Sequence, residues 1–196
     1  MTYWDPIPTA RAARTGPLPT PDGGTWLPDP AHGGYWNTRP DRWDGRNWRN
    51  VPGPFYGSGT DSCWMGRLIA PANVLYDDEW GEEFVYRQPR DAHETLAVLG
   101  AAAQDPMVGY ACDGDDHWTP ELVRAWWRDR GRVREWAVAL DRTWSASAEA
   151  QEREAAAGAR DYVAHIDGGL EDHLRGYLFR LSEGRPAAPG ESLPGL

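Results

Sequence analysis

The sequence predicts an α+β protein of one domain, built as a small antiparallel sheet, a mostly helical C-terminal half and an irregular Pro/Trp-rich N-terminal wrap. Three observations predict it. Residues 1–60 hold ten of the 17 prolines, nine of the 22 glycines and five of the 12 tryptophans, a mixture that forbids long regular elements but supplies large apolar anchors. Residues 61–90 contain short aromatic and β-branched runs separated by turn residues, the pattern of short strands. Residues 91–184 carry apolar positions at helical spacing, ahead of a Pro- and Gly-containing tail at 185–196. The 196 residues fall in the size range of one domain, roughly 100 to 200 residues.

In the wrap, Trp26, Trp36, Trp43 and Trp48 are expected to pin the chain onto a core, with residues 8–24 the loosest part, because a disordered tail would be poor in aromatics. "CWMGRLIA", "NVLYDD" and "EEFVYRQ" then read as three strands of a meander. "DAHETLAVLGAAAQ" places Asp91 at an N-cap with Glu94 three positions on, a capping-box arrangement that opens a helix over about 92–103. In "TPELVRAWWRDR", Thr119 is the N-cap and Pro120 the first helical residue, where a missing N–H is harmless. That helix is expected to reach residue 130, with further helical segments over 132–144 and 148–166 and a break at Ser145 and Ser147. Ala155, Ala159, Tyr162, Val163 and Ile166 share one face of the last of these, and Gly168 and Gly169 end it. Leu170, Leu174, Tyr177, Leu178 and Leu181 mark a final amphipathic helix before a tail expected to fray.

Charge and composition narrow the function. The net charge of −10 argues against a duplex nucleic-acid binder, which must displace phosphate counterions with Lys and Arg, and suits a basic protein partner instead. All 20 basic residues are arginine, so Schiff-base and P-loop lysine chemistry are excluded. No apolar run approaches the roughly 20 residues of a membrane span, and the N-terminus lacks an apolar signal core; a cytoplasmic protein is expected. Two cysteines, Cys63 and Cys112, cannot build a disulfide framework or a four-cysteine zinc site. No cofactor is expected.

Four stretches are candidates for function. Cys112, Asp113, Asp115, Asp116 and His117 crowd metal-capable side chains ahead of the Thr119 helix, but EF-hand spacing fails at His117, Trp118 and Arg124. The acids equally suit the electropositive start of a helix. "GSGTDSCW", residues 57–64, is glycine-rich but leads into a predicted strand rather than a helix, so a turn is favoured over a phosphate loop. "YDDEWGEEF" gathers Asp77, Asp78, Glu79, Glu82 and Glu83 around Trp80. Residues 77–116 contain eleven acids against two arginines, a band able to guide a basic partner. Finally "YWNTRPDRWDGRNWRN" interleaves Tyr35, Trp36, Trp43 and Trp48 with Arg39, Arg42, Arg46 and Arg49, the residue types of protein hot spots and of single-strand stacking platforms.

The leading expectation is a non-enzymatic acidic binding protein that occludes a basic partner, most concretely an immunity protein against a toxin. Its contact residues are expected at Asp77, Asp78, Glu79, Trp80, Glu82, Glu83, Trp43 and Trp48. The rivals are a small metal-dependent enzyme centred on residues 112–117, with Glu79 or Glu83 contributed from the sheet, and an aromatic nucleotide- or carbohydrate-binding module using Trp43 and Trp48.

Overall fold

The computed structural model describes residues 3–13, 18–19, 25–26 and 41–196. The expected anchor Trp36, the side chain of Trp26, and Tyr35 and Arg39 of the Trp–Arg stretch lie outside the described residues. The fold is α+β with a mostly helical C-terminal half, and it divides into two compact units, Asp5–Gly114 and a unit that joins Met1–Trp4 to Asp115–Leu196.

The first unit runs through helix α1 (Ile7–Ala12), strands β1 (Leu18–Pro19) and β2 (Thr25–Trp26), helix α2 (Asp41–Asp44), strand β3 (Tyr56–Gly57), helix α3 (Gly66–Ile69), strands β4 (Val74–Tyr76) and β5 (Glu83–Val85), helix α4 (Ala92–Gln104) and strand β6 (Tyr110–Ala111). Among the described residues the strands form, instead of one sheet, three two-stranded antiparallel ladders, β1 with β2, β3 with β6 and β4 with β5. The predicted three-strand meander is therefore corrected to a hairpin, with Val74 opposite Val85, Leu75 opposite Phe84 and Tyr76 opposite Glu83. "CWMGRLIA" turns helical rather than extended, because the N–H groups of Gly66 and Arg67 donate to the Glu83 carboxyl and the Tyr76 hydroxyl instead of to a strand.

Strands of two or three residues leave most backbone groups of this unit without a ladder partner, and buried amides supply the bonds. Asn50 accepts from the N–H groups of Gly57 and Val85 and donates to the carbonyls of Asn47 and Gly57. Gln88 accepts from the Phe55 N–H and donates to the carbonyls of Val51 and Phe55. Over this frame α4 buries Val98, Leu99 and Ala101 in one cluster with Phe55, Val74 and Val85. Its start is as the sequence predicts: the Asp91 carboxylate accepts from the Glu94 N–H at 2.8 Å. Glu94 closes the box one residue earlier than expected, accepting from the backbone N–H of Arg90 and from its guanidinium.

The second unit contains α5 (Pro120–Ser145), α6 (Ala150–Gly168) and α7 (Leu170–Glu183). Thr119 accepts from the Leu122 N–H as the N-cap of α5. The expected stop at residue 130 does not occur, and the helix runs unbroken to Ser145, 26 residues in all. A glycine costs only about 1 kcal/mol in a helix interior, and Gly131 is outweighed by the buried stripe of Val133, Ala137, Leu140 and Trp144 that follows it. Ala155, Ala156, Ala159, Tyr162 and Ile166 form the buried face of α6. The predicted break falls at Ala146–Glu149, where Arg153 donates to the carbonyls of Ser147 and Ala148. In α7, Leu170, Leu174, Tyr177 and Leu178 are buried, and Gly184, at φ +71°, provides the left-handed cap. The tail is tied down rather than frayed: Arg175 donates to the carbonyls of Leu193 and Pro194, and Arg124 to that of Gly195. Tyr3 lies across α7 so closely that a Cβ on Gly176 would meet Tyr3 Cβ at 2.5 Å. No helix among the described residues is long and apolar enough to cross a membrane.

Candidate functional site: an acidic hairpin carrying an exposed tryptophan

The hairpin between β4 and β5 is organised by one side chain. Asp77 is 1% exposed, and its Oδ1 accepts from the N–H groups of Glu79, Trp80 and Gly81 at 3.0, 2.7 and 3.1 Å. Its Oδ2 accepts from the Asn47 amide at 2.6 Å and lies 3.5 Å from Arg49. One carboxylate thus fixes the whole tip, the same satisfaction of orphan N–H groups that an aspartate provides in an Asx turn. Gly81 takes φ +72°, a conformation that glycine adopts without steric cost.

On this fixed tip Trp80 is 71% exposed. The side chains beside it, Asp78 and Glu79, are 47% and 60% exposed, each 3.8 Å from the buried Arg49 guanidinium. Arg49 also covers the Trp48 ring at 4.5 Å. It therefore links Trp48 to the hairpin and offsets part of the negative charge there. Glu82 is half-buried, and burial, followed by the nearby Asp77 charge, pushes its carboxyl above the usual range.

The other predicted contact residues separate into different environments. Glu83 is 1% exposed and faces inward, accepting from the Gly66 N–H and pairing with the Tyr110 hydroxyl. Asp77 and Glu83 are thus interior supports of the hairpin rather than contact surface. Trp43 meets Tyr56 edge-on with ring centroids 5.5 Å apart, and Arg46 covers its ring at 3.8 Å. The Trp–Arg pairs of the 41–50 stretch stack on one another, so these arginines already occupy faces that a stacking ligand would need. Glu79 and Glu83 do not pair for acid/base work, since one is exposed and the other buried.

The 112–117 stretch straddles the boundary between the units. Asp113, in the first, accepts from the Tyr56 hydroxyl at 2.8 Å. Asp115, in the second, accepts from the Tyr177 hydroxyl at 2.9 Å and lies 3.4 Å from Arg180. Both hydroxyls are pushed above the ordinary tyrosine value, chiefly by burial and then by the aspartate beside each. Among the described residues no three His, Cys, Asp or Glu side chains converge as a metal site. In the Gly-rich loop 57–64 three N–H groups are spent on the protein: Gly57 donates to the Asn50 side chain, Ser58 to the Gly109 carbonyl and Asp61 to the Asp105 carboxylate. In the helical unit a cleft of about 260 Å³ is lined by Trp127, Arg130, Ile166, Asp167 and Glu171, below the roughly 300 to 1,000 Å³ of ligand pockets.

Sequence reasoning missed Asn47 and Tyr110, and it singled out Arg49 only as part of the Trp–Arg stretch, not as one of the residues that hold the hairpin from outside it. The only signal was the repeated Asn in "NWRN", and nothing in that spacing indicates a partner 30 positions away. No family model, curated protein or solved structure matches the chain.

Proposed function

We propose that the chain is a non-enzymatic binding protein that occludes a basic partner through the Trp80 hairpin, most concretely an immunity protein that inhibits a toxin. The observation that carries this reading is the exposed Trp80, 71% accessible, flanked by Asp78 and Glu79 and held by the Asp77 cap. A tryptophan is a costly residue to leave in water, and it is among the commonest anchors of protein interfaces. The Asp77 cap fixes the tip before any encounter, so little ordering entropy remains to be lost on binding. The flanking carboxylates and the net charge of −10 favour a cationic surface and speed its approach.

The test is capture of the partner from native cells at low salt, its identification, and titration of the purified pair. Asp78→Lys together with Glu79→Lys is expected to slow association and to flatten the salt dependence, because the exposed charges act mainly on encounter. Association at the wild-type rate with an unchanged salt slope would remove the hairpin from the interface.

A further inference from the structure

Glu83 is a buried carboxyl whose hydrogen-bond partners are both neutral, the Gly66 N–H and the Tyr110 hydroxyl. It starts β5, while Gly66 ends the loop 58–66 and Tyr110 lies in β6, so one side chain ties three segments together. The fit is tight: a Cβ on Gly66 would meet the Glu83 carboxylate at 2.1 Å and the Tyr110 hydroxyl at 2.7 Å. The Glu83 N–H donates to the Thr60 hydroxyl at 2.6 Å, a second tie between the loop and the strand. The charged groups acting on Glu83 are Asp61 in the loop and Asp105 ahead of β6, both of which disfavour its ionisation. Cys63 in the loop, Tyr110, and Tyr76, which stands opposite Glu83 in the β4–β5 ladder, are the other titratable neighbours. Arg67, the cation of α3, directs a guanidinium N–H to the Pro71 carbonyl.

The segments bracketing this carboxyl are also strained. Among the described residues the non-glycine positions with positive φ are Trp64, at 60°, and Val108, at 52°, a region costly for any side chain and most so for a β-branched one. Trp64 is held there by stacking on Tyr76, with ring centroids 4.5 Å apart. The loop also supports the binding tip, since a Cβ on Gly81 would lie 3.1 Å from the Trp64 indole nitrogen and 3.2 Å from Ser62 Cβ.

We propose that Glu83 is a proton-operated latch: its neutral form locks loop 58–66 against β5 and β6, and its ionisation releases the loop and loosens the support beneath the Trp80 tip. Ionisation places a negative charge in the interior beside Asp61 and Asp105, and opening the loop hydrates it. Burial accordingly raises the carboxyl from its ordinary 4.5 to about 7. The open form, with a solvated carboxyl, gains on the closed form as pH rises between these values and gains no more above about 7. The regulatory consequence, tighter partner binding when latched, rests on the hairpin reading; the latch itself does not.

The experiment is native-state hydrogen exchange of loop 58–66 from pH 5 to 8, expressed as protection relative to intrinsic rates. In the wild type, protection is expected to fall by up to about tenfold per pH unit between pH 5 and 7 and then to level off. Glu83→Gln keeps the shape without the charge and should show no such step. Tyr110→Phe removes a hydroxyl that favours the carboxylate and should move the plateau to higher pH. Identical profiles in the wild type and Glu83→Gln, or a plateau that Tyr110→Phe leaves in place, would overturn the latch. Titration of the identified partner at pH 5.5 and 7.5 separates the two readings. A pH effect on affinity that Glu83→Gln abolishes supports the regulation, whereas an altered exchange profile with equal affinities refutes the regulation and leaves the latch standing.

Discussion

The two units of this chain reach stability by different means. In the helical unit Leu140, Trp144, Ala155, Ala159, Tyr162 and Leu174 are buried at helical periodicity, and backbone hydrogen bonds are satisfied within each helix. The first unit has ladders of only two or three residues and relies on Asn47, Asn50, Gln88, Asp77, Glu83 and Asp105, all buried, to bond its backbone. A periodic apolar face tolerates local faults, as Gly131 shows. A fold held by single polar side chains does not, because each removal strands several buried groups at once.

Asn50→Ala should give the largest effect, costing about 4 kcal/mol in urea unfolding, because it leaves the buried N–H groups of Gly57 and Val85 without their acceptor and takes the side-chain donor from the carbonyls of Asn47 and Gly57, which keep only a backbone N–H each. A cost under 1 kcal/mol would break the contrast from the side of the polar frame. Leu140→Ala, in the helical unit, should cost about 3 kcal/mol as a buried cavity, with the protein still folded; a cost above that of Asn50→Ala would reverse the comparison. The pH response sharpens it further. Because the folded Glu83 carboxyl is raised from 4.5 to about 7, the stability it lends is full below 4.5 and is lost as pH rises through about 7. That loss amounts to about 3 kcal/mol, and the difference between wild-type and Glu83→Gln unfolding curves over this window isolates it from Glu82 and Asp105, which burial also raises. A difference that does not change with pH would contradict the assignment. At the small end, Gly131→Ala points into open space and should raise the melting temperature, by about 1 kcal/mol of stability.

The same contrast explains what was legible in the sequence. Asp91, Thr119, Pro120 and the Gly168–Gly169 stop act on neighbours within four residues, so their positions in the sequence state their roles. The β4–β5 hairpin was legible for the same reason. The polar frame was not: Asn47 reaches Asp77, Glu83 reaches Tyr110 and Gln88 reaches Phe55, across 30, 27 and 33 positions, and no local pattern encodes such pairings. The acidic hairpin stood out by composition, but composition cannot divide its acids into the exposed Asp78 and Glu79 and the buried Asp77 and Glu83. That division depends on which N–H groups lack a strand to bond to.

The most direct test of the account is the affinity of the identified partner for Trp80→Ala, measured by titration calorimetry beside the wild type at one salt concentration. With Trp80 as the anchor, the loss should be at least about 2 kcal/mol, roughly 30-fold in Kd, with the unfolding curve unchanged because the ring is exposed. Equal affinity in a folded variant would show that the hairpin is not where this protein binds.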